Sequence, residues 1–262
     1  MQVKFLLPAA ALFVLAACNK PEGCMDPLAT NYDPDAEVDK GCLYEENYAM
    51  EMHFHSSLNG GELVEEQQYT INGVATNINL LQFYVSGISL ISAAGDTVTS
   101  DTYLLVKPET EEYSIGDFPA GDYTKLIFHV GVDSATNHAD PSQYNLGDPL
   151  GAQTPSMHWG WSFGYIFLRL DGEVDSDADG TPDPAGVFEM HVGDDHYLAD
   201  IELDYAITIG DGQENIVHLD ADWDTFFTGV DMVNDNTVHG TDNLSLAALL
   251  YENISGVFSA EE

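Results

Sequence analysis

A chain of 262 residues that is 44% hydrophobic is long enough for one large domain with a proper core and a small appendage. Its 6 Lys+Arg stand against 45 Asp+Glu, a formal net charge of −39, which repels phosphate backbones and excludes nucleic acid as a partner. The acids are spread along the chain, the pattern of a hydrated acidic surface, with divalent-cation binding as the sharper alternative.

The first segment reads as a targeting signal. Lys4 supplies a charged start, Phe5 to Leu15 an apolar run, and Leu15-Ala16-Ala17-Cys18 looks like the lipobox of a bacterial lipoprotein. The run is too short to span a bilayer. Residues 1–17 are therefore expected to be a cleaved signal and Cys18 the lipidated residue, tethering the chain to a membrane through its acyl chains. That places the protein in the cell envelope, outside the cytosol; the resemblance of the next segment to surface proteins of Gram-negative bacteria adds the expectation of an outer membrane, with the protein facing either the periplasm or the exterior. Cys24 and Cys42, the other thiols, are expected to pair as a disulfide in such an oxidising compartment. In the chain-entropy model that closure contributes about 3 kcal/mol. Zinc is the rival, but two cysteines without a second pair make a poor zinc site. The segment GCMDPLATNYDPDAEVDKGC resembles a short cysteine-bounded repeat, C-x-D-P-x-A-x-N-Y-D-P-x-A, of secreted and surface proteins. Residues 18–46 are read as a stapled spacer and 47–262 as the main domain.

From Tyr48 the pattern is two-periodic: Tyr48, Met50, Met52 and Phe54 share one face, Glu51, His53 and His55 the other. Further strands are expected over Ile78–Ile91, Thr102–Lys107, Tyr123–Val132, Phe163–Leu170, Val187–Val192, Leu198–Ile209 and Asn215–Leu219, with turn signals between them. Leu244, Ala248 and Tyr251 predict one helix within Thr241 to Phe258, capped by Thr241 or Asp242. Short strands with one terminal helix argue for an all-β fold, an antiparallel β-sandwich or barrel-like domain with a C-terminal helix.

No nucleophile elbow, H-E-x-x-H or phosphate loop is present, so the chain reads as non-enzymatic. His53-x-His55 places two imidazoles on one strand face, where they can hold copper, zinc or nickel; a solvated polar face is the plain alternative. Asp175, Asp177, Asp179, Thr181 and Asp183 match the front of an EF-hand-type calcium loop, although Gly186 stands where the closing glutamate belongs. A solvated acidic hairpin tip explains the same residues. Trp159 and Trp161, beside His158 in Met157 to Gly172, are expected to enter a glycine-broken strand with both indoles on one face. They either fill a core or line a site.

Several motifs in order carry a family resemblance across Tyr48 to Phe258. They are LLQFYVSGISL from Leu80, FPAGDY from Phe118, FHVGVD from Phe128 with Asn137, MHWGW from Met157 with GYIF from Gly164 and LDG from Leu170, and FEMHVG from Phe188. Together they resemble the MbnP-like family of copper-associated periplasmic and lipid-anchored proteins. The resemblance implies a β-rich domain that handles copper through histidines and a tryptophan oxidised to kynurenine, and, in some relatives, a di-haem peroxidase-like enzyme as the oxidising partner. Carried over by motif, Trp159 and Trp161 are the candidate modified residues, and His191 joins His53 and His55 as candidate copper ligands, with His158 and His239 in reserve. Two readings stand: a copper-binding lipoprotein for uptake, storage or delivery, and a structural or adhesive surface domain stabilised by calcium.

Overall fold

The computed structural model describes residues 20–261 except Leu28, Tyr44, Glu111, Trp161 and Ser162. The expected signal and lipidated Cys18 lie outside the described residues, as does Trp161. Among the described residues, no helix is long and apolar enough to cross a membrane. The chain divides into two units, 1–46 and 47–262.

In the first unit, β1 (Glu22–Gly23) and β2 (Val38–Asp39) pair in parallel. Cys24 is fully buried and bonded to Cys42. The N-Y-D-P residues explain why the repeat closes on itself. Asn31 donates from Nδ2 to Gly41 O at 2.7 Å and accepts the Leu43 N–H at 2.8 Å, while Asp33 accepts the Asp35 N–H at 2.9 Å.

In the second unit, β3 (Asn47–Leu58) buries Met50, Met52, Phe54 and Leu58, as its alternation predicts. After β4 (Gly61–Glu62) and β5 (Gln67–Ile71) comes the 19-residue β6 (Val74–Ser92). Next are β7 (Thr97–Thr99), β8 (Leu104–Val106), β9 (Glu112–Pro119) and β10 (Gly121–Val130). The short helix α1 (Ser134–Asn137) precedes a long loop to β11 (Ile166–Val174). Then come β12 (Val187–Gly193), β13 (Ala199–Ile209), β14 (Ile216–Asp222), α2 (Trp223–Phe226), β15 (Val238–His239), α3 (Leu244–Ile254) and β16 (Phe258–Ala260).

Two sheets result. One runs β13-β10-β6-β11-β12-β15 with β5, β7 and β8 also on β6; the other runs β16-β14-β3-β4 with β9 on β3. Their apolar faces meet in one core, where Phe54 packs edge-on against Phe83, Phe128 and Phe258 at centroid distances of 5.8, 6.3 and 6.2 Å. This is the expected all-β sandwich. A smaller core on the other face of the larger sheet gathers Tyr84, Val132, Leu150, Met157, Tyr165 and Phe167 beneath the long loop.

Three details differ from the sequence expectation. The sheets are mixed, because β3–β14 and β12–β15 pair in parallel; such partners lie far apart in sequence and leave no local hairpin signal. The strand expected from Phe163 begins at Ile166, because Gly160 and Gly164 take φ of 107° and 74° and turn the chain first. Trp159 therefore sits in a loop. Helix α3 is capped by Asn243, whose side chain accepts the Leu246 N–H at 3.2 Å, while Asp242 instead accepts the His239 N–H at 2.7 Å.

The bonded cysteines lie within the first unit, and no cysteine follows Cys42. Reductant should therefore loosen only that unit, by about 3 kcal/mol. Limited proteolysis with and without reductant checks this: new cleavage is expected between Cys24 and Cys42, with residues 47–262 left intact.

Candidate metal centre

Residues two apart share a face of a strand. On β12, Phe188, Met190 and Val192 enter the core, so Glu189 and His191 point away from it. The neighbouring β11 aligns Arg169 with His191 and Asp171 with Glu189, and β15 aligns His239 with His191 on the other side. A polar strip thus crosses three strands of the larger sheet.

The strip is tightly bonded. His191, only 5% exposed, holds Asp171 Oδ1 at 2.5 Å through Nε2. Asp171 Oδ2 accepts from Arg169 Nε at 2.8 Å, and Arg169 Nη1 reaches Ser156 O at 2.9 Å. Burial works to raise the Asp171 pKa, but the hydrogen bonds and charges of His191 and Arg169 outweigh it and hold the carboxyl below its usual range. With Nε2 given to a carboxylate, His191 keeps Nδ1 for a metal, the arrangement by which outer carboxylates orient ligating imidazoles. His239 lies edge-on to His191 at 4.7 Å between centroids. Its Nε2 is 3.1 Å from Glu189 Oε2 and its Nδ1 3.4 Å from Asp242 Oδ2. Glu189, His191 and His239 each offer one ligand atom, all within 4.8 Å of one another. Two imidazoles and a carboxylate suit copper or zinc.

Trp159 borders this group. Its six-membered ring lies on the backbone of Gly193, where a Cβ would meet Cζ3 at 2.7 Å, and a Cβ on Gly240 would stand 4.0 Å from Cη2. Gly193 follows His191 on β12, and Gly240 follows His239. Trp159, Phe163, His239, Gly240 and Thr241 line a cleft of about 270 Å³. The loop is closed by Trp159 N–H to Gly164 O at 3.0 Å and pinned by buried Asn137, which accepts the Tyr165 N–H at 2.7 Å and donates to Asp195 at 2.8 Å. A Cβ on Gly164 would lie 2.2 Å from Asn137 Oδ1. Asn137 ends α1, whose cap Asp133 accepts the Ala135 and Thr136 N–H groups at 3.1 and 3.2 Å and takes a hydrogen bond from the Tyr103 hydroxyl.

The other candidates lie elsewhere. His53 and His191 occupy separate clusters on separate sheets, and His55 joins neither. Register decides this: β14 sets His218 beside His53 and Asp220 beside exposed His55. His239, held only in reserve by sequence reasoning, is the partner of His191; Glu189 was legible only as part of the FEMHVG motif. In the acidic loop, Asp175, Asp177 and Asp183 converge, whereas Asp179 stands outside that group and accepts the Thr181 N–H at 2.9 Å. Asp175 accepts the Asp179 and Gly180 N–H groups at 3.1 and 2.7 Å, and Asp183 accepts the Ser176 N–H and hydroxyl at 2.9 and 2.6 Å. These carboxylates close a hairpin tip with the loop's own donors. The charge of Asp179 raises the Asp177 pKa, with Asp183 and Asp175 adding to it.

Replacing Asn137 with Ala leaves the buried Tyr165 N–H without its acceptor, and chemical denaturation should read a loss of about 1–3 kcal/mol. Partial burial works to raise the Asp133 pKa, but bonds from Tyr103, Thr136 and the helix amides hold it below the usual range. Its contribution to stability is therefore complete above the unfolded aspartate value of about 3.9 and is lost as pH falls through the lower folded value. In melts taken down the acid limb, Asp133→Asn should be less stable than wild type at neutral pH, and the gap should narrow below about pH 4.

The MbnP family model matches residues 47–241, which contain Trp159, Asp171, Glu189, His191 and His239. Among solved structures, MbnP from Methylosinus trichosporium matches with a TM-score of 0.51 at 16% identity, covering 75% of this chain and 82% of that one. No curated protein sequence matches the chain. Matched over more than half its length by the family model and sharing the fold of that structure, the chain belongs to the MbnP family.

Proposed function

We propose that this chain is a cell-envelope lipoprotein, anchored through Cys18, that binds copper at His191, His239 and Glu189 beside Trp159 and serves copper uptake, storage or delivery without catalysing a reaction. The observation that carries the reading is the convergence of His191, His239 and Glu189 next to an indole held in a loop. Two imidazoles with a carboxylate favour Cu(II) over the other divalent ions by the Irving–Williams order. The Asp171–Arg169 pair fixes the His191 ring for the metal. Oxidation of Trp159 by a di-haem peroxidase-like partner would open the indole and set new nitrogen and oxygen donors at the edge of His239. Family membership supports the copper association; residues 18–46 act as the spacer between lipid and domain.

Carboxylates alone gather cations around a chain of net charge −39, so copper is titrated in high salt with excess calcium and followed by quenching of tryptophan emission. Wild type is expected to show one tight quenching equivalent. Loss is expected in His191→Ala/His239→Ala, a 10–100-fold weakening in Asp171→Asn, and retention in His53→Ala/His55→Ala. Equal tight quenching in wild type and His191→Ala/His239→Ala would sink the assignment. Intact mass of the mature protein reports lipid on Cys18 and any oxidation of Trp159.

A further inference from the structure

A second imidazole cluster lies on the five-stranded sheet, built by three adjacent strands. The parallel β3–β14 register sets His53 directly beside His218. On the far side of β14, β16 ends at Ala260, and the next N–H, that of Glu261, donates to His218 O at 3.2 Å. His53 Nδ1 is 3.3 Å from His218 Nδ1, and Glu261 Oε2 is 3.6 Å from the same His218 nitrogen. His53, His218 and Glu261 each present one ligand atom, all within 4.8 Å of one another.

A hydrogen bond between the two imidazoles accounts for the nitrogen contact alone, whereas the carboxylate brought to the same point asks for positive charge there. Metal chemistry accounts for both. Nitrogens each about 2.0–2.1 Å from a tetrahedral ion stand about 3.3–3.4 Å apart, and that is the spacing here. The other nitrogen of His218, Nε2, has Glu214 Oε1 at 3.5 Å, the carboxylate behind the ring that orients a ligating imidazole. The Tyr205 hydroxyl accepts the His218 N–H at 2.8 Å and fixes the strand behind the ring. The His218 side chain is 33% exposed, so an ion and a completing water can enter. Two nitrogen donors disfavour calcium and magnesium, which take oxygen shells.

We propose that His53, His218 and Glu261 form a second, surface-facing site for a borderline divalent transition-metal ion, zinc or Cu(II), separate from the Trp159 centre. It does not depend on the copper reading of that centre.

Zinc is the probe, and His191→Ala/His239→Ala is the background, since the imidazoles of the first centre also suit zinc. Calorimetric titration of that full mature chain in high salt with excess calcium should give one zinc equivalent. Adding His218→Ala should abolish that equivalent, and adding Glu261→Gln should weaken it at least tenfold. Ring 15N resonances of His53 should shift on zinc addition in the background chain but not once His218→Ala is added. Unchanged zinc binding after both His218→Ala and Glu261→Gln, or no zinc equivalent in the background chain, would overturn the proposal. Copper in place of zinc, read by the same calorimetry, tells which ion the site prefers.

Discussion

Strand β6 is buried on both faces, and the rest of the domain depends on that. Phe83 and Val85 enter the core between the sheets, while Tyr84, between them in sequence, enters the smaller core on the opposite side. Tyr84 is held there by a hydrogen bond to Pro149 O at 2.8 Å and by an edge contact with Tyr165 at 5.4 Å. Tyr165 bonds Leu150 O at 2.7 Å in turn. Burial drives both phenols to pKa values far above the usual one, so neither ionises in any ordinary solution. A strand with only one buried face would leave the long loop after α1 without a floor. With that floor, Asn137 and Gly164 can hold the loop in one conformation, and Trp159 comes to rest over Gly193.

The chemistry of the centre follows from sheet geometry more than from any loop. Arg169, Asp171, Glu189, His191 and His239 stand on one face because strand side chains alternate, and neighbouring strands in register bring them to contact distance. The ion pair between Arg169 and Asp171 is worth little as a stability device. Its effect is to hold one imidazole in one orientation, which is what a ligand needs. The same face in a solvated sheet would carry scattered polar residues, each free to rotate.

Much of the fold was legible in the sequence, because alternation over Asn47–Leu58, Tyr123–Val130 and Val187–Val192 is strong and local. The disulfide was legible from compartment and count. The site was only half legible. His191 stands in a long strand and a recognisable motif, but His239 belongs to a two-residue strand, too short for any period to register. Its partnership with His191 depends on parallel pairing with a distant segment, and so does the partnership of His53 with His218. His53 and His55 share a strand face, but about 7 Å separates like-facing residues along a strand, whereas the next strand, which carries His218, is about 4.8 Å away. Trp159 misled for a different reason, since alternation of Trp with Gly mimics a strand, whereas Gly160 and Gly164 turn the chain.

The pairing of His53 with His218 joins the first strand of the domain to one near its end. Contacts so distant in sequence are closed late and slowly, after the entropy of the intervening chain has been given up. An ion seated between those strands would find no site on a nascent or partly folded chain. It would act as a latch that engages only on a finished domain, adding stability by mass action to the folded state alone.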